Sequence, residues 1–366
     1  MYIVNYIYLS TVKIVAENRF NKRIKLTQEI LSKIARIDEF KGLWQGGLRL
    51  NPQILGRLKA SVIITSAGAS TRIEGAKMSD EEVARLLRGL KSKPPRGRDE
   101  EENAGYADLL GRIFDNWKTL KLSENQIYQF HSILLNFVEK DRGHKGKYKA
   151  TDNAVTTKNE KGETVVLFKP TPPYLVKPEM EQILAWTNEE LEKKGLHPLL
   201  VIANFIFEFL AIHPFQDGNG RLSRALTNLL LLKADYSYVL YVSMEEIIEE
   251  QRTEYYLALW ATQKTHKTDH EDITAWVSFF LDVLIKQANR AKKIMEADQP
   301  EKLLSEKQSE IYRLFNEEDT LAVSEIDKKL KGKIPQVTIK QALSRLVELK
   351  LLERIGLGRG TRYKKL

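Results

Sequence analysis

His213-Pro214-Phe215-Gln216-Asp217-Gly218-Asn219-Gly220-Arg221-Leu222-Ser223-Arg224 is the stretch on which the fold turns. One apolar run, Leu199 to Ile212, leads into it, and another, Leu222 to Leu232, leads out. Helix, tight loop, helix is the predicted arrangement. Gly218 and Gly220 lack a Cβ, so the backbone there can take positive φ and approach a ligand closely. Successive N–H groups in such a turn make a concave nest for an anion. The nest opens a helix, whose first N–H groups are unpaired and whose dipole favours negative charge. Arg221 and Arg224 stand about one helical turn apart and can face one ligand. Guanidinium forks suit phosphate oxygens. Asp217 is a hard oxygen ligand suited to Mg²⁺ on a phosphate. His213 can take a proton near neutral pH.

Taken singly, each residue has an ordinary explanation. A histidine before proline is commonly structural, Asp-Gly and Asn-Gly are turn dipeptides, and two arginines on a helix make a solvated face. Chance does not readily place all of them in twelve residues. The string resembles the signature of the Fic family, H-x-F-x-D/E-G-N-G/K-R-x-x-R. His213, Phe215, Asp217, Gly218, Asn219, Gly220, Arg221 and Arg224 fill every defined position. The resemblance implies a mainly α fold, a Fic-type helical bundle with a β-hairpin flap. It implies transfer of AMP from ATP to a protein hydroxyl. His213 would be the general base and Asp217 the holder of Mg²⁺. Gly218-Asn219-Gly220 would bind the α- and β-phosphates. Arg221 and Arg224 would reach the outer phosphates, and Phe215 would anchor the loop.

The 366 residues suggest two or three domains, and 42% hydrophobic content is enough for a sizeable core. There is no cysteine, which excludes disulfides, zinc thiolates and a cysteine nucleophile. That composition fits a reducing, cytoplasmic setting. Met1 to Val15 is apolar but has no basic leader and no small-residue cleavage site, so it does not read as a signal peptide. No uninterrupted apolar run is long enough to span a membrane. A net charge of +9 favours acidic partners such as nucleotides or nucleic acid.

Residues 1–105 read as an N-terminal helical region. Leu26 to Glu39 and Leu55 to Ile64 carry the helical period. Near 66–75 comes a small-residue stretch with one glutamate, Glu74, one turn after Ser70 and just before Gly75, a plausible helix end. Alone it reads as a surface glutamate before a helix cap. It also resembles the inhibitory helix of one Fic class, S/T-x-x-x-E-G/N, met here by Ser70, Glu74 and Gly75. The resemblance implies that Glu74 pairs with Arg224 and so withholds a cation from the γ-phosphate.

Lys91 to Glu102 reads as an exposed loop broken by Pro94-Pro95. Glu102 to Trp117 and Ser123 to Val138 resume a helical period. Gly143 to Pro173 has β-leaning texture and predicts a hairpin turning near Asn159 to Gly162. By the resemblance this is the flap, with Leu167, Phe168, Lys169 and Pro170 beside the nucleotide, and it would align a target segment as an added strand. Family members often have an arginine where Lys149 stands here. Pro178 to Lys193, Ser243 to Trp260 and Asp272 to Ile294 each read as a helix. The resemblance places Tyr255 against the adenine and Gln263 near it. Residues 106–297 are the catalytic domain on this reading.

Residues 301–366 read as a separate module with 15 Lys+Arg against 10 Asp+Glu. Three helices, Glu306 to Phe315, Val323 to Leu330 and Pro335 to Lys350, precede two short strands around a glycine loop. The pattern resembles a small winged helix-turn-helix domain. Its third helix would offer Gln336, Thr338, Lys340 and Gln341 to a groove, with Lys331, Lys333, Arg359 and Arg362 toward phosphates. Protein contact or dimerisation is the alternative. The expected partners are therefore ATP with Mg²⁺ and a hydroxyl-bearing protein, possible DNA through 301–366, a possible homodimer, and no membrane. Three further readings stay open: removal of AMP by the same site, transfer of UMP or a phosphate in place of AMP, and a DNA-binding regulator whose Fic part senses nucleotide.

Overall fold

A helix apolar on all sides can only sit inside a protein. Helix α8, Pro198–Ile212, is such a segment, and every residue from Leu199 onward is buried. The computed structural model describes residues 18–47, 52–90, 92–138, 140, 143–158, 164–297, 304–316, 318–348, 351–356 and 358–366. Met1 to Val15 and the hairpin tip near 159–162 lie outside the described residues, as do the side chains of Leu167 and Arg359. The chain forms two compact units, Met1–Lys292 and Lys293–Leu366.

In the first unit α1 is Arg19–Lys22, α2 Gln28–Gly47, α3 Pro52–Ile73, α4 Asp80–Gly89, α5 Arg98–Asn116 and α6 Glu124–Leu134. A hairpin of β1, Val155–Lys158, and β2, Thr164–Phe168, follows. Then come α7 Pro173–Lys193, α8, α9 Asn219–Lys233, α10 Met244–Glu250, α11 Arg252–Gln263 and α12 Thr274–Ala297, whose residues from Lys293 on are counted with the second unit. Helix α8 packs between α7 and α9, α5 packs on α9, and α3 packs on α5 and α10. The expected boundary at residue 105 falls inside α5.

Several helices differ from their sequence expectation. Helix α5 starts at Arg98, inside the stretch 91–102 that reads as an exposed loop, and buries Glu102, because Gly97 at φ 82 ends the loop there; α4 carries no earlier expectation. Helix α7 starts at Pro173, five residues before Pro178, because Pro173 takes the first helical position and Pro178 is tolerated inside. The single helix expected over 243–260 is two, α10 and α11, broken at Gln251, whose φ −115 and ψ 35 are not helical.

Two buried carboxylates tie the bundle together. Glu208 on α8 accepts from the guanidinium groups of Arg19 and Arg23 and stands 3.2 Å from His266 Nε2. Glu208, His266 and Glu271 are spaced as a metal site would be, but Arg23 already bonds both carboxylates and occupies the cation position. Glu245 on α10 accepts from Ser66 Oγ at 2.7 Å, Ser243 Oγ at 3.2 Å, Tyr106 Oη at 2.7 Å and Asn228 Nδ2 at 2.7 Å. A buried carboxylate needs such donors. These four join α3, α5, α9 and α10.

The second unit has α13 Glu306–Arg313, β3 Thr320–Ala322, α14 Val323–Lys329, α15 Gln336–Glu348, β4 Leu352–Ile355 and β5 Arg362–Lys365. Its antiparallel sheet has the order β3-β5-β4, so three strands stand where two were expected. Strand β3 is only three residues long, too short to leave an alternating pattern. Ile311, Phe315, Leu321, Ile326, Ile339, Leu343 and Leu346 are among the side chains of a core of its own. Among the described residues no helix is long and apolar enough to cross a membrane.

Candidate active site

The loop from His213 to Gly218 joins the C-terminus of α8 to the N-terminus of α9. His213 ends α8 in the left-handed region at φ 52, which is uncommon for a residue with a Cβ. Gly218 starts α9 at φ 80, and a Cβ there would lie 3.1 Å from Leu134 Cδ2.

The loop is braced from every side. Asn219 closes it by accepting from Phe215 N–H at 2.9 Å and donating to the Phe215 carbonyl at 2.8 Å. That side chain is thereby occupied with the loop rather than offered to a ligand. Phe215 is fully buried and stacks on His131 at 3.8 Å between ring centroids. His131 Nδ1 accepts from Gly146 N–H at 3.0 Å, so its Nε2 carries the proton and donates to the Asp217 carbonyl at 3.1 Å. Burial pushes the His131 ring down to about 4. Lys149 N–H donates to the Pro214 carbonyl at 2.9 Å. Its Nζ donates to Asn153 Oδ1 at 2.7 Å and to the Ile212 carbonyl at 3.3 Å, and burial pushes its pKa down to about 8. Asn153 Nδ2 donates to the Phe215 carbonyl at 3.2 Å.

A cavity of about 410 Å³ opens over this loop. His213, Glu74, Phe168, Asp217, Gly218, Asn219, Gly220, Arg221, Tyr255 and Gln263 stand on its wall, so ten of the residues singled out in the sequence meet there. Ser70, Gly75, Lys169, Pro170 and Arg224 do not line it. The wall carries the glycine loop and Arg221, and also Tyr255, Tyr256, Trp260 and Gln263. Arg252, which sequence reasoning did not select, also lines it.

His213 Nδ1 lies 3.2 Å from the Leu210 carbonyl. A carbonyl only accepts, so Nδ1 holds the proton and Nε2 keeps its lone pair. Burial pushes the ring down to about 4, so it is neutral at pH 7. Phe168 at the end of β2 meets the ring edge-on at 6.4 Å.

Asp217, Arg221, Glu102 and Arg98 form a closed ring of alternating charge. Asp217 Oδ2 accepts from Arg221 Nη2 at 3.0 Å and from Arg98 Nη2 at 3.2 Å. Glu102 takes Arg98 Nε at 2.6 Å and lies 3.3 Å from Arg221 Nη1. Burial pushes the Asp217 carboxyl up, but Arg221, the Gly218 N–H and Arg98 outweigh it and hold it below its ordinary value. Arg221 is buried, and its Nε and Nη1 have no hydrogen-bond partner.

Arg224 is buried beneath Glu74. Its Nε donates to Ser70 Oγ at 2.9 Å, and its Nη2 donates to the Ser70 carbonyl at 2.9 Å and to Glu74 Oε1 at 2.8 Å. Burial alone would weaken its charge; the Glu74 carboxylate more than offsets that and raises its pKa. A Cβ on Gly220 would lie 2.1 Å from Glu74 Oε1, so only glycine leaves room for this carboxylate. Glu74 itself is held by the end of α3. Ala76 N–H bonds the Thr71 carbonyl, Gly75 N–H bonds the Arg72 carbonyl, and Gly75 takes φ 109. That is a Schellman cap with Glu74 at the cap position.

Sequence reasoning missed His131, Arg98 and Glu102. His131 left no local signal, because its partners lie at Gly146 and Asp217. Glu102 sat inside the acidic run 99–102, where one buried carboxylate looks like three solvated ones.

Comparison with known proteins adds three findings. Residues 121–231 match the model of the Fic/DOC family. Protein adenylyltransferase Fic of Drosophila mojavensis is 36% identical over 103 residues, 28% of this chain and 18% of that protein. The Drosophila virilis protein of the same name is 36% identical over 103 residues, 28% of this chain and 19% of its own. The match thus spans about a fifth of the length of these curated relatives. A Fic family protein from Desulfovibrio desulfuricans G20 superposes with TM-score 0.60 at 22% identity over 93% of this chain and 97% of that one. Fic-1 of C. elegans, residues 134–508, superposes with TM-score 0.58 at 20% identity over 74% of this chain and 73% of its own. These structures show a shared helical fold.

Proposed function

We propose, for a chain whose residues 121–231 are a Fic domain, that the cavity binds ATP and transfers AMP to a side-chain hydroxyl of a protein. The observation that carries this is the pairing of a neutral, oriented His213 with an anion loop and an aromatic wall around one cavity. The phosphates would lie on the N–H groups of Gly218 to Gly220 at the start of α9. The base would lie against Tyr255 and within reach of Gln263. Strand β2 could take a target segment as an added strand.

Mg²⁺ fits the residues present. Asp217 is a half-buried carboxylate on the cavity wall beside the phosphate loop, held in its charged form. One such oxygen ligand, with phosphates and water completing the shell, suits Mg²⁺. When bound there the ion would neutralise phosphate charge. His213 Nε2 takes the proton of the attacking hydroxyl. That oxygen bonds to the α-phosphorus as the bond to the β-phosphate oxygen breaks, and pyrophosphate leaves. Arg221, immobile under Glu102 and Asp217, faces the charge that develops.

Glu74 restrains the reaction on this reading. It occupies Arg224 and the space above Gly220. A charge-assisted bond of this kind contributes about 1.5–3 kcal/mol, enough to change nucleotide placement tenfold or more. Glu74→Gly should raise labelled AMP incorporation by at least about tenfold. An unchanged rate would remove Glu74 from this role. His213→Ala should lower transfer by about 10²–10⁴ while ATP binding, read by calorimetry, persists. Loss of ATP binding instead would make the imidazole structural. None of these groups belongs to residues 293–366, and the reaction as drawn makes no use of that unit.

A further inference from the structure

Among the described residues of the first unit, the buried Lys and Arg side chains are Arg23, Lys149, Arg221 and Arg224. Arg23 pairs with Glu208, Arg221 with Asp217 and Arg224 with Glu74. Lys149 is only 5% exposed, and no carboxylate among the described residues lies within ion-pair distance of it. A buried ammonium without a counter-charge is costly, so its place calls for a reason.

Its partners are neutral oxygens, and they surround His213. Nζ donates to the Ile212 carbonyl at 3.3 Å, one residue before the imidazole. The Lys149 N–H donates to the Pro214 carbonyl at 2.9 Å, one residue after it. Nζ also holds Asn153 Oδ1 at 2.7 Å, and Asn153 Nδ2 donates to the Phe215 carbonyl at 3.2 Å. The carbonyls of Ile212, Pro214 and Phe215 thus all depend on one lysine. His213 needs that grip. Its backbone sits at φ 52, a left-handed conformation that persists only where the surroundings impose it. Lys149 does not line the cavity, so its action on a bound nucleotide runs through His213.

Given that the cavity is a site of AMP transfer, the reading on which this rests, we propose that Lys149 is the positioning residue for His213 and that only its ammonium form holds the imidazole in place for transfer. An N⁺–H donor bonds about twice as strongly as a neutral one. The free amine keeps two N–H groups and can still reach both acceptors of Nζ, so loss of the proton loosens the grip without releasing it. The charged and titratable groups around Nζ are Asp152 on its own loop, Glu179 on α7 and His213 at the end of α8. Burial pushes the Lys149 pKa down to about 8, and the two carboxylates only partly offset it. Glu179 is itself taken by Lys267 at 2.6 Å. The folded chain therefore loses this ammonium as pH rises through about 8, against about 10.4 for a lysine in water. Transfer is complete below that range and should fall by about fivefold to tenfold on passing through it.

The test uses the full chain with Glu74→Gly and labelled ATP, and follows AMP incorporation from about pH 6 to about pH 10. An alkaline limb near pH 8 is expected. Lys149→Arg stays charged throughout and should remove that limb. Lys149→Met should lower kcat at pH 7 at least about tenfold while ATP affinity, read by calorimetry, stays within about twofold, and Lys149→Arg should recover most of the lost rate. A limb near pH 8 that persists in Lys149→Arg overturns the proposal, and so does full transfer by a folded Lys149→Met chain. The limb and Lys149→Arg decide even where Lys149→Met does not fold. A second readout needs no transfer. In the chain with Glu74 intact and ¹³C-labelled histidine, the His213 ring resonance, assigned through His213→Ala, should shift with a midpoint near pH 8, and Lys149→Arg should remove that shift. Absence of the shift overturns the positioning role. If the Glu74→Gly chain transfers nothing while the shift is present, the reaction assigned to the cavity fails and the link from Lys149 to His213 stands.

Discussion

Asp217 Oδ2 is claimed by two arginines that differ in freedom. Arg221 is buried and has nowhere to move; the Arg98 side chain is 69% exposed at the first turn of α5. If Asp217 holds Mg²⁺, Arg98 stands in for the metal until it arrives. Arg98→Ala should then lower the Mn²⁺ concentration needed for half-saturation several-fold in the presence of ATP, read by the loss of the free Mn²⁺ spin-resonance signal. Unchanged or weaker metal binding would make Arg98 a plain phosphate contact or a surface pair. His131 supports a second prediction at this scale. Its ring is held near 4 in the folded chain against about 6.5 unfolded, so between those values the unfolded state binds the extra proton. Stability therefore rises with pH through that window, and acidification from 7 to 4 removes up to about 3 kcal/mol through this ring. Urea unfolding of His131→Gln should show a correspondingly flatter pH dependence between 6.5 and 4, from a lower starting stability at pH 7. Neither residue was legible beforehand. The motif residues announced themselves because they lie within twelve positions of each other in the chain. His131 depends on chain folded back from far away, and no pattern of its own records that.

Helix α3 carries Glu74 on its end, so on the proposed function whatever fixes the end of α3 sets the restraint. Arg72 bonds both oxygens of Glu249 on α10, at 2.6 and 2.9 Å, and also Asp80 Oδ1 at 2.9 Å and the Met78 carbonyl at 2.8 Å. The clasp lies outside the cavity wall. Arg72→Ala should loosen the last turn of α3 and raise AMP incorporation several-fold, and should do nothing further once Glu74 is glycine. A gain that persists on the Glu74→Gly background would mean that Arg72 acts elsewhere, because independent effects add. Further up the same helix, Ser66 is keyed to Glu245. Glu245→Ala leaves Tyr106, Asn228 and Ser66 without their buried acceptor and should cost about 3 kcal/mol or more in urea unfolding. At this scale the reading of the sequence was uneven for a physical reason. Helix α8 is apolar nearly all round, which leaves only a buried position, and α9 ends in the apolar run Leu229 to Leu232 and packs with it. The run 243–260 kept a helical period across Gln251, although the chain breaks there, because periodicity records which face is buried and not whether the backbone is continuous. The hairpin was legible from its β-branched run, and its register of Val155 with Phe168 and Thr156 with Val166 includes a bulge that no pattern foretold.

The two compact units have separate cores and separate polar machinery, and this makes a prediction about the whole chain. Every bond invoked for nucleotide binding, from Arg72 to Gln263, closes within residues 18–292. In the second unit, α13, α14 and α15 enclose a core sealed by the three-stranded sheet, and that is enough apolar burial for a small domain to fold alone, though marginally. A fragment of residues 293–366 should therefore unfold in one cooperative step, at modest urea concentration. Residues 1–292 with Glu74→Gly should incorporate AMP within about twofold of the full-length Glu74→Gly protein, since no step of the reaction draws on the other unit. A large loss of transfer on removing 293–366, with residues 1–292 still folded by circular dichroism, would show that the second unit completes the site.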